Sequence, residues 1–182
     1  MMKSFLYILS SFMIITIASS CKENDDLKKE LAQNTWTFKS EYNANGITTY
    51  EAEKVTLTIQ GTGQLTAVSK TRYGGGYGGT NSTVIIYFKG MPLADKDYKV
   101  TSYNRVATHD DEVAIMVNVS GDSEIPGSGG GGSVWESDGD GSQVLSYKFG
   151  DSKGSAAFSD ITLYNGVHAG KKSAQVSGKI SQ

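Results

Sequence analysis

The chain is 182 residues long and carries 17 Lys and Arg against 19 Asp and Glu, a net charge of −2. That weak acidity argues against nucleic acid as a partner, because its binders show a basic patch or stripe. Glycine is abundant at 22 residues and proline scarce at 2, while Val, Ile, Thr, Ser and Tyr dominate between the glycines, which favours strands joined by open turns.

The chain opens Met1-Met2-Lys3, and Ser4 to Ser20 is apolar or small with no charge. A membrane-spanning helix needs about 20 predominantly apolar residues to cross roughly 30 Å of hydrocarbon. The apolar part here, Phe5 to Ala18, is shorter, is interrupted by serines and follows a single cation. This is the profile of a cleaved export signal. Removing residues 1–20 leaves 162 residues, one domain's worth; only Lys3 is lost among the charges, so 16 cations face 19 anions, a net of −3.

The tetrapeptide Ala18-Ser19-Ser20-Cys21 resembles the lipobox of bacterial lipoproteins, small residues ending in a cysteine. The resemblance implies cleavage between Ser20 and Cys21 and a lipid on the Cys21 thiol, which would bring the membrane in as a partner. A thiol forms a stable thioether to diacylglycerol, and the freed amine of the same residue takes a further acyl chain. Each buried methylene contributes about 0.8 kcal/mol, so several chains on one residue hold a soluble body at a bilayer where one chain holds it only marginally. Cys21 has no partner for a disulfide within the chain, since it is the only cysteine. The run Lys22-Glu23-Asn24-Asp25-Asp26 is similar to the export tag of Bacteroidota lipoproteins, which implies transfer to the outer face of the outer membrane, the periplasmic face being the alternative. Read for charge alone, it is a solvated tether.

Asp25 or Asp26 is placed to cap a short helix predicted through Gln33, with Leu27 and Leu31 on one face and Asn34 at its end. Residues 21–34 thus form tether and helix, and 35–182 an all-β domain. From Trp36 the period is two: Trp36, Phe38 and Tyr42 alternate with polar residues, and Asn45-Gly46 is a hairpin turn into Ile47 to Tyr50. Val55, Leu57 and Ile59 alternate with Thr56, Thr58 and Gln60, and Gly61-Thr62-Gly63 turns into Leu65 to Lys70. Thr83 to Lys89 is apolar on both faces and is expected to be the best buried strand. Asp97 to Tyr103, Val113 to Val119, Gln143 to Phe149, Ala156 to Tyr164 and Ser173 to Ile180 complete the predicted strands.

About nine short strands without a second helical segment predict a single antiparallel β-sandwich of about eight to ten strands. A closed barrel is the alternative, since both bury alternate residues. The helix followed by Asn34-Thr35-Trp36 resembles the start of lipocalins over Leu27 to Phe38, with Asn34 standing where lipocalins usually carry glycine. That resemblance implies a helix closing one end of a barrel and a tryptophan near its floor. The segment Thr80 to Val100 is similar to a strand-loop-strand pattern of small sandwich-type Bacteroidota lipoproteins.

Two stretches are glycine-rich, Tyr73 to Ser82 and Gly127 to Ser142. Neither contains the lysine of a phosphate-binding Gly-x-x-x-x-Gly-Lys-[Ser/Thr] loop, and Gly166 to Lys171 is one residue too short for it. They read either as plain hairpin ends or as a recognition rim, in which Tyr73, Tyr77 and Trp135 would stack on a sugar ring or insert into a protein partner. Asp138, Asp140 and Ser142 are spaced as the first three ligands of a calcium loop, but Gln143 and Phe149 occupy the positions of its glycine and glutamate, so a polar turn is expected.

His109-Asp110-Asp111-Glu112 is the one cluster of imidazole and carboxylates, and His168 lies in a separate loop, which leaves zinc poorly provisioned. No Gly-x-Ser-x-Gly elbow is present. The expectation is a non-catalytic, lipid-anchored cell-surface binding module for a glycan or an envelope protein, with no cofactor, metal or catalytic residue. The alternatives are a lipocalin-like carrier of a small apolar ligand and an accessory subunit of an outer-membrane assembly.

Overall fold

The computed structural model describes residues 31–41, 47–73, 79–106, 108–120, 132–165 and 172–182. They form eleven strands and one short helix: β1 Thr35–Ser40, β2 Thr48–Gln60, β3 Thr62–Ser69, β4 Arg72–Tyr73, β5 Gly79–Phe88, β6 Lys96–Thr101, α1 Tyr103–Val106, β7 Glu112–Ser120, β8 Ser133–Ser137, β9 Asp140–Gly150, β10 Lys153–Asn165 and β11 Lys172–Ser181. The expected all-β class is what the chain forms. Pairing runs from β5 through β3, β2, β1, β11, β10, β8 and β7 and returns to β5, while β9 and β6 bridge β10 to β7 beside the short β8. Opposed inner faces pack over one core, as a sandwich requires, and hydrogen-bonded strands join them on both sides into a single closed sheet. All pairings are antiparallel except that of Lys99 and Val100 with Glu112 and Val113. There the connection through α1 carries the chain back so that β6 and β7 run in the same direction.

The period-two pattern sets which residues turn inward. Trp36, Phe38, Leu65, Val84, Ile86, Val117, Leu145, Ile161 and Leu163 have no accessible surface. β5 lies between β3 and β7, and its run Val84 to Phe88 is buried on both faces except at Ile85. Trp36 Nε1 donates to Ser82 Oγ at 3.2 Å, and the Ser82 amide donates to Ser69 Oγ at 2.8 Å, so the buried indole N–H is satisfied. Gly178 on β11 lets the aromatics close, since a Cβ there would lie 2.5 Å from the Phe158 ring and 2.9 Å from Trp36 Cβ.

The helix predicted through Gln33 does not reach that residue. Leu31 and Ala32 have no regular structure and Gln33-Asn34 is a turn, while residues 25–30 lie outside the described residues. Asn34 decides this, with a left-handed φ of 59°. Its Oδ1 accepts the Ser181 amide at 2.7 Å and its carbonyl accepts the Ala52 amide at 2.8 Å. The residue is a corner clamped to β11 and β2. After glycine, Asn is among the residues that best tolerate this backbone.

Strand direction gives the body two distinct ends. The strand ends that bracket residues 42–46, 74–78, 121–131 and 166–171 all lie at one end, because Ser40 is opposite Ala174, Val68 opposite Thr83, Asn81 opposite Ser120, and Asn165 opposite Lys172. The chain enters the barrel at Asn34, at the other end, where Ser181 pairs with Ser155.

Tyr147 sits in the core with its hydroxyl donating to the Pro92 carbonyl at 3.1 Å, and burial, followed by the neighbouring Tyr98, pushes its phenol from 10.0 up to about 12. The unfolded chain ionises this group near 10 and the folded chain does not, so its contribution to stability is complete below pH 10.0 and is lost as pH rises through about 12. Tyrosinate absorbance should show Tyr147 ionising only together with unfolding. Its titration in step with exposed tyrosines would contradict this.

Candidate functional site

The outer face of β5 and β7 is covered, over part of its area, by α1. Val106 is fully buried against Tyr87 and Ala114, with Ile85 and Met116 packed around them. Four residues make too short a helix to persist alone, and the pin is Arg105, whose Nη2 and Nε donate to Glu112 Oε1 and Oε2 at 2.7 and 3.2 Å. The Glu112 side chain is 7% exposed. His109 comes no nearer than 3.8 Å to that carboxylate, and the rest of the predicted cluster disperses. Asp110 pairs with Lys89 at 3.1 Å and Asp111 with Lys99 at 3.3 Å. The Lys99 hydrogen bond holds the Asp111 carboxyl below its ordinary value. Among the described residues no three His, Cys, Asp or Glu side chains gather as a metal set.

Beside α1 lies a cleft of about 420 Å³ on the barrel wall, within the roughly 300–1,000 Å³ that small-molecule sites occupy. Tyr87, Tyr103 and Tyr164 supply its aromatic surface, with Met116 between strands. The Tyr87 and Tyr103 rings meet edge to face, centroids 4.8 Å apart and planes at 79°. The Tyr87 hydroxyl donates to Met116 Sδ at 3.6 Å. Burial raises the Tyr87 phenol, and Tyr103 and Glu136 raise it further. The charged lining is Glu136 and Asp138, and Asn104 and Ser102 add neutral polar groups. Among the described residues no Lys or Arg lines the cleft. A smaller hollow of about 260 Å³ at the Asn34 end is lined by Leu93, Asp95 and Tyr98, and there the Lys96 ammonium already stands 5.1 Å over the Tyr98 ring.

Of the three aromatics expected to form a recognition rim, Trp135 belongs to the core instead. Trp135 corrects that expectation: it lies in β8, has no accessible surface, donates from Nε1 to Ser133 Oγ at 2.9 Å and meets Phe38 edge to face at 5.6 Å. Ser133, Trp135 and Ser137 alternate inward with Val134 and Glu136 outward, a strand period that the adjoining glycines obscured. Tyr73 pairs through its backbone with Gly79 in the two-residue β4. Tyr77, Ser20 and Cys21 lie outside the described residues. Asn81, in the first glycine-rich stretch, is opposite Ser120 at the end of β7 and accepts its hydroxyl, seven residues before the second stretch begins. Asp140 Oδ1 accepts the Ser142 amide at 2.9 Å at the start of β9, so the segment expected to be a polar turn opens a strand.

Sequence reasoning missed the cleft because its parts belong to four strands and a helical turn. One signal was available. Tyr87 alternates with the inward Phe88 on a central strand, so an aromatic there faces outward and must be covered or used. Comparison with family models, with curated proteins and with solved structures gives no match to this chain, so what the cleft can bind rests on its own residues.

Proposed function

We propose that the protein is a non-catalytic binding module of a Gram-negative envelope, held to the outer membrane by lipid on Cys21 and facing the cell surface, where it takes a glycan or a protein partner. The observation that carries this reading is the polarity of the barrel. The chain arriving from the tether enters at Asn34, and the strand ends bracketing residues 42–46, 74–78, 121–131 and 166–171 lie at the opposite end. A body held from its Asn34 end presents those strand ends, and the wall with its cleft, to the surroundings. The core weighs against a carrier, because a side chain with no accessible surface borders no space that admits a water, and Trp36, Trp135, Phe38 and Tyr147 are all of that kind. The acids nearest His109 are each engaged with a cation of their own, which supports binding over catalysis.

Metabolic labelling with an alkyne fatty acid tests the anchor. Label is expected on the native chain and lost in Cys21→Ala, which should accumulate as the uncleaved precursor. Protease added to intact cells should degrade the labelled protein. A native chain without label removes the anchor, and a labelled chain protected until the cells are lysed places it on the periplasmic face.

A further inference from the structure

We propose that the free edge of β2, Lys54–Gln60, is a dimerisation site at which two copies of the chain pair antiparallel, edge to edge. β1 accompanies β2 only as far as Glu51, opposite Thr35, and the last backbone bond on that side runs from the Ala52 amide to the Asn34 carbonyl. The left-handed turn at Asn34 takes the chain away from there. Lys54–Gln60 continues beside β3 alone, and among the described residues no backbone hydrogen bond is made from its other side. Such an edge points alternate amides and carbonyls outward, a template for another strand. Proline, which would blunt it, is absent from the segment.

The inner face of this edge is uncovered as well. Val55, Leu57 and Ile59 lie opposite Ala67, Leu65 and Gly63. Ala67 and Leu65 have no accessible surface, yet Val55 and Leu57 are only half-buried and Ile59 is 59% exposed. Gly63 gives Ile59 no cover and cannot be enlarged, since a Cβ there would lie 2.1 Å from the Gly90 carbonyl oxygen. Any extended peptide would find the free backbone groups, but the order of residues matches a second copy. About a two-fold axis at Leu57, Lys54 faces Gln60, Val55 faces Ile59, Thr56 faces Thr58 and Leu57 faces itself, so the whole segment pairs. Apolar meets apolar on the inner face, threonine meets threonine on the outer face, and no like charges are opposed. A slip of one residue would set inward side chains against outward ones. The pairing goes beyond the surface-binding reading and does not depend on the lipid anchor.

Two differently tagged full-length chains, one with Thr56→Cys and the other with Thr58→Cys, are co-expressed and oxidised in the cells. Opposed residues have Cβ atoms roughly 4.5–5.5 Å apart, whereas the diagonal 56–56 and 58–58 pairs are roughly 7–8 Å apart and poorly placed for a disulfide. A mixed disulfide carrying both tags is expected at about fivefold or more the yield of either variant alone, with the native chain, whose single cysteine is Cys21, setting the background. Ile59→Lys in both chains should lower that yield about fivefold or more by placing charge in the apolar row, and it should leave the urea midpoint unchanged because Ile59 is exposed. The native chain in an uncharged polyoxyethylene detergent should sediment as a dimer and Ile59→Lys as a monomer. No mixed disulfide, equal yields in every combination, a disulfide to another protein in place of the second copy, or a native chain that sediments as a monomer would overturn the proposal. None of these outcomes bears on the fatty-acid label, which fails or stands separately.

Discussion

Trp135→Ala is expected to destabilise the fold by about 3–5 kcal/mol, the range for truncating a fully buried tryptophan. The indole has no accessible surface, packs edge to face on Phe38 and satisfies its N–H at Ser133 Oγ. Its removal leaves a void between β8 and β1 that both strands are too well paired to collapse into, and it leaves the buried Ser133 hydroxyl without that donor. Trp135→Phe should lose less, since it keeps an aromatic beside Phe38. Urea unfolding followed by circular dichroism measures both, with the midpoint falling and the slope unchanged. A surface aromatic used for recognition would behave in the opposite way, losing a ligand and keeping its stability. A Trp135→Ala protein with an unaltered midpoint would therefore place the indole outside the core.

Arg105→Ala is expected to cost about 2–3 kcal/mol, less than the full cost of breaking a buried pair because the arginine is half exposed, but more than a surface ion pair because the carboxylate it leaves is not. Two charge-assisted hydrogen bonds are lost together. Arg105→Lys should recover only part, because an ammonium cannot match the forked geometry. The double replacement Arg105→Ala with Glu112→Gln should be more stable than Arg105→Ala alone, since it removes the stranded charge. The loss should be local in character. α1 carries Tyr103 and buries Val106, so amide exchange is expected to accelerate at α1 and the start of β7 well before the rest of the barrel. Exchange rising evenly across all strands would mean that Arg105 has no special hold on α1.

These two side chains also show how far residue patterns reach. The alternation of Val113, Ile115, Val117 and Val119, and the doubly apolar run of β5, are visible in the chain because a strand's two faces are written in successive residues. The boundaries of β7 and β11 follow closely for that reason, β3 and β10 start three residues earlier than the alternation shows, and the segments read separately at residues 47–50 and 55–60 run together as one strand, β2. β8 was not legible, although Ser133, Trp135 and Ser137 obey the same rule, because five residues flanked by glycines carry too short a pattern to outweigh their surroundings. The predicted reach of the helix to Gln33 was misjudged for a related reason, residues 25–30 lying outside the described residues. Leu27 and Leu31 share a helical spacing, but the contacts of Asn34 with Ser181 and Ala52 come from residues 147 positions and 18 positions away, and no local spacing announces them.

By itself, the chain's residue order determined the strand period, the inward residues, the all-β class and the placement of charge, because each depends on neighbours one or two positions apart. Only the tertiary structure decided that the sheet closes on itself, that the chain enters opposite the strand ends bracketing residues 42–46, 74–78, 121–131 and 166–171, that Trp135 is core, and that Tyr87, Tyr103, Glu136 and Asp138 share one cleft. Each of these depends on which strands pair across long separations, and pairing is selected by the packing of all inward faces at once rather than by any one segment.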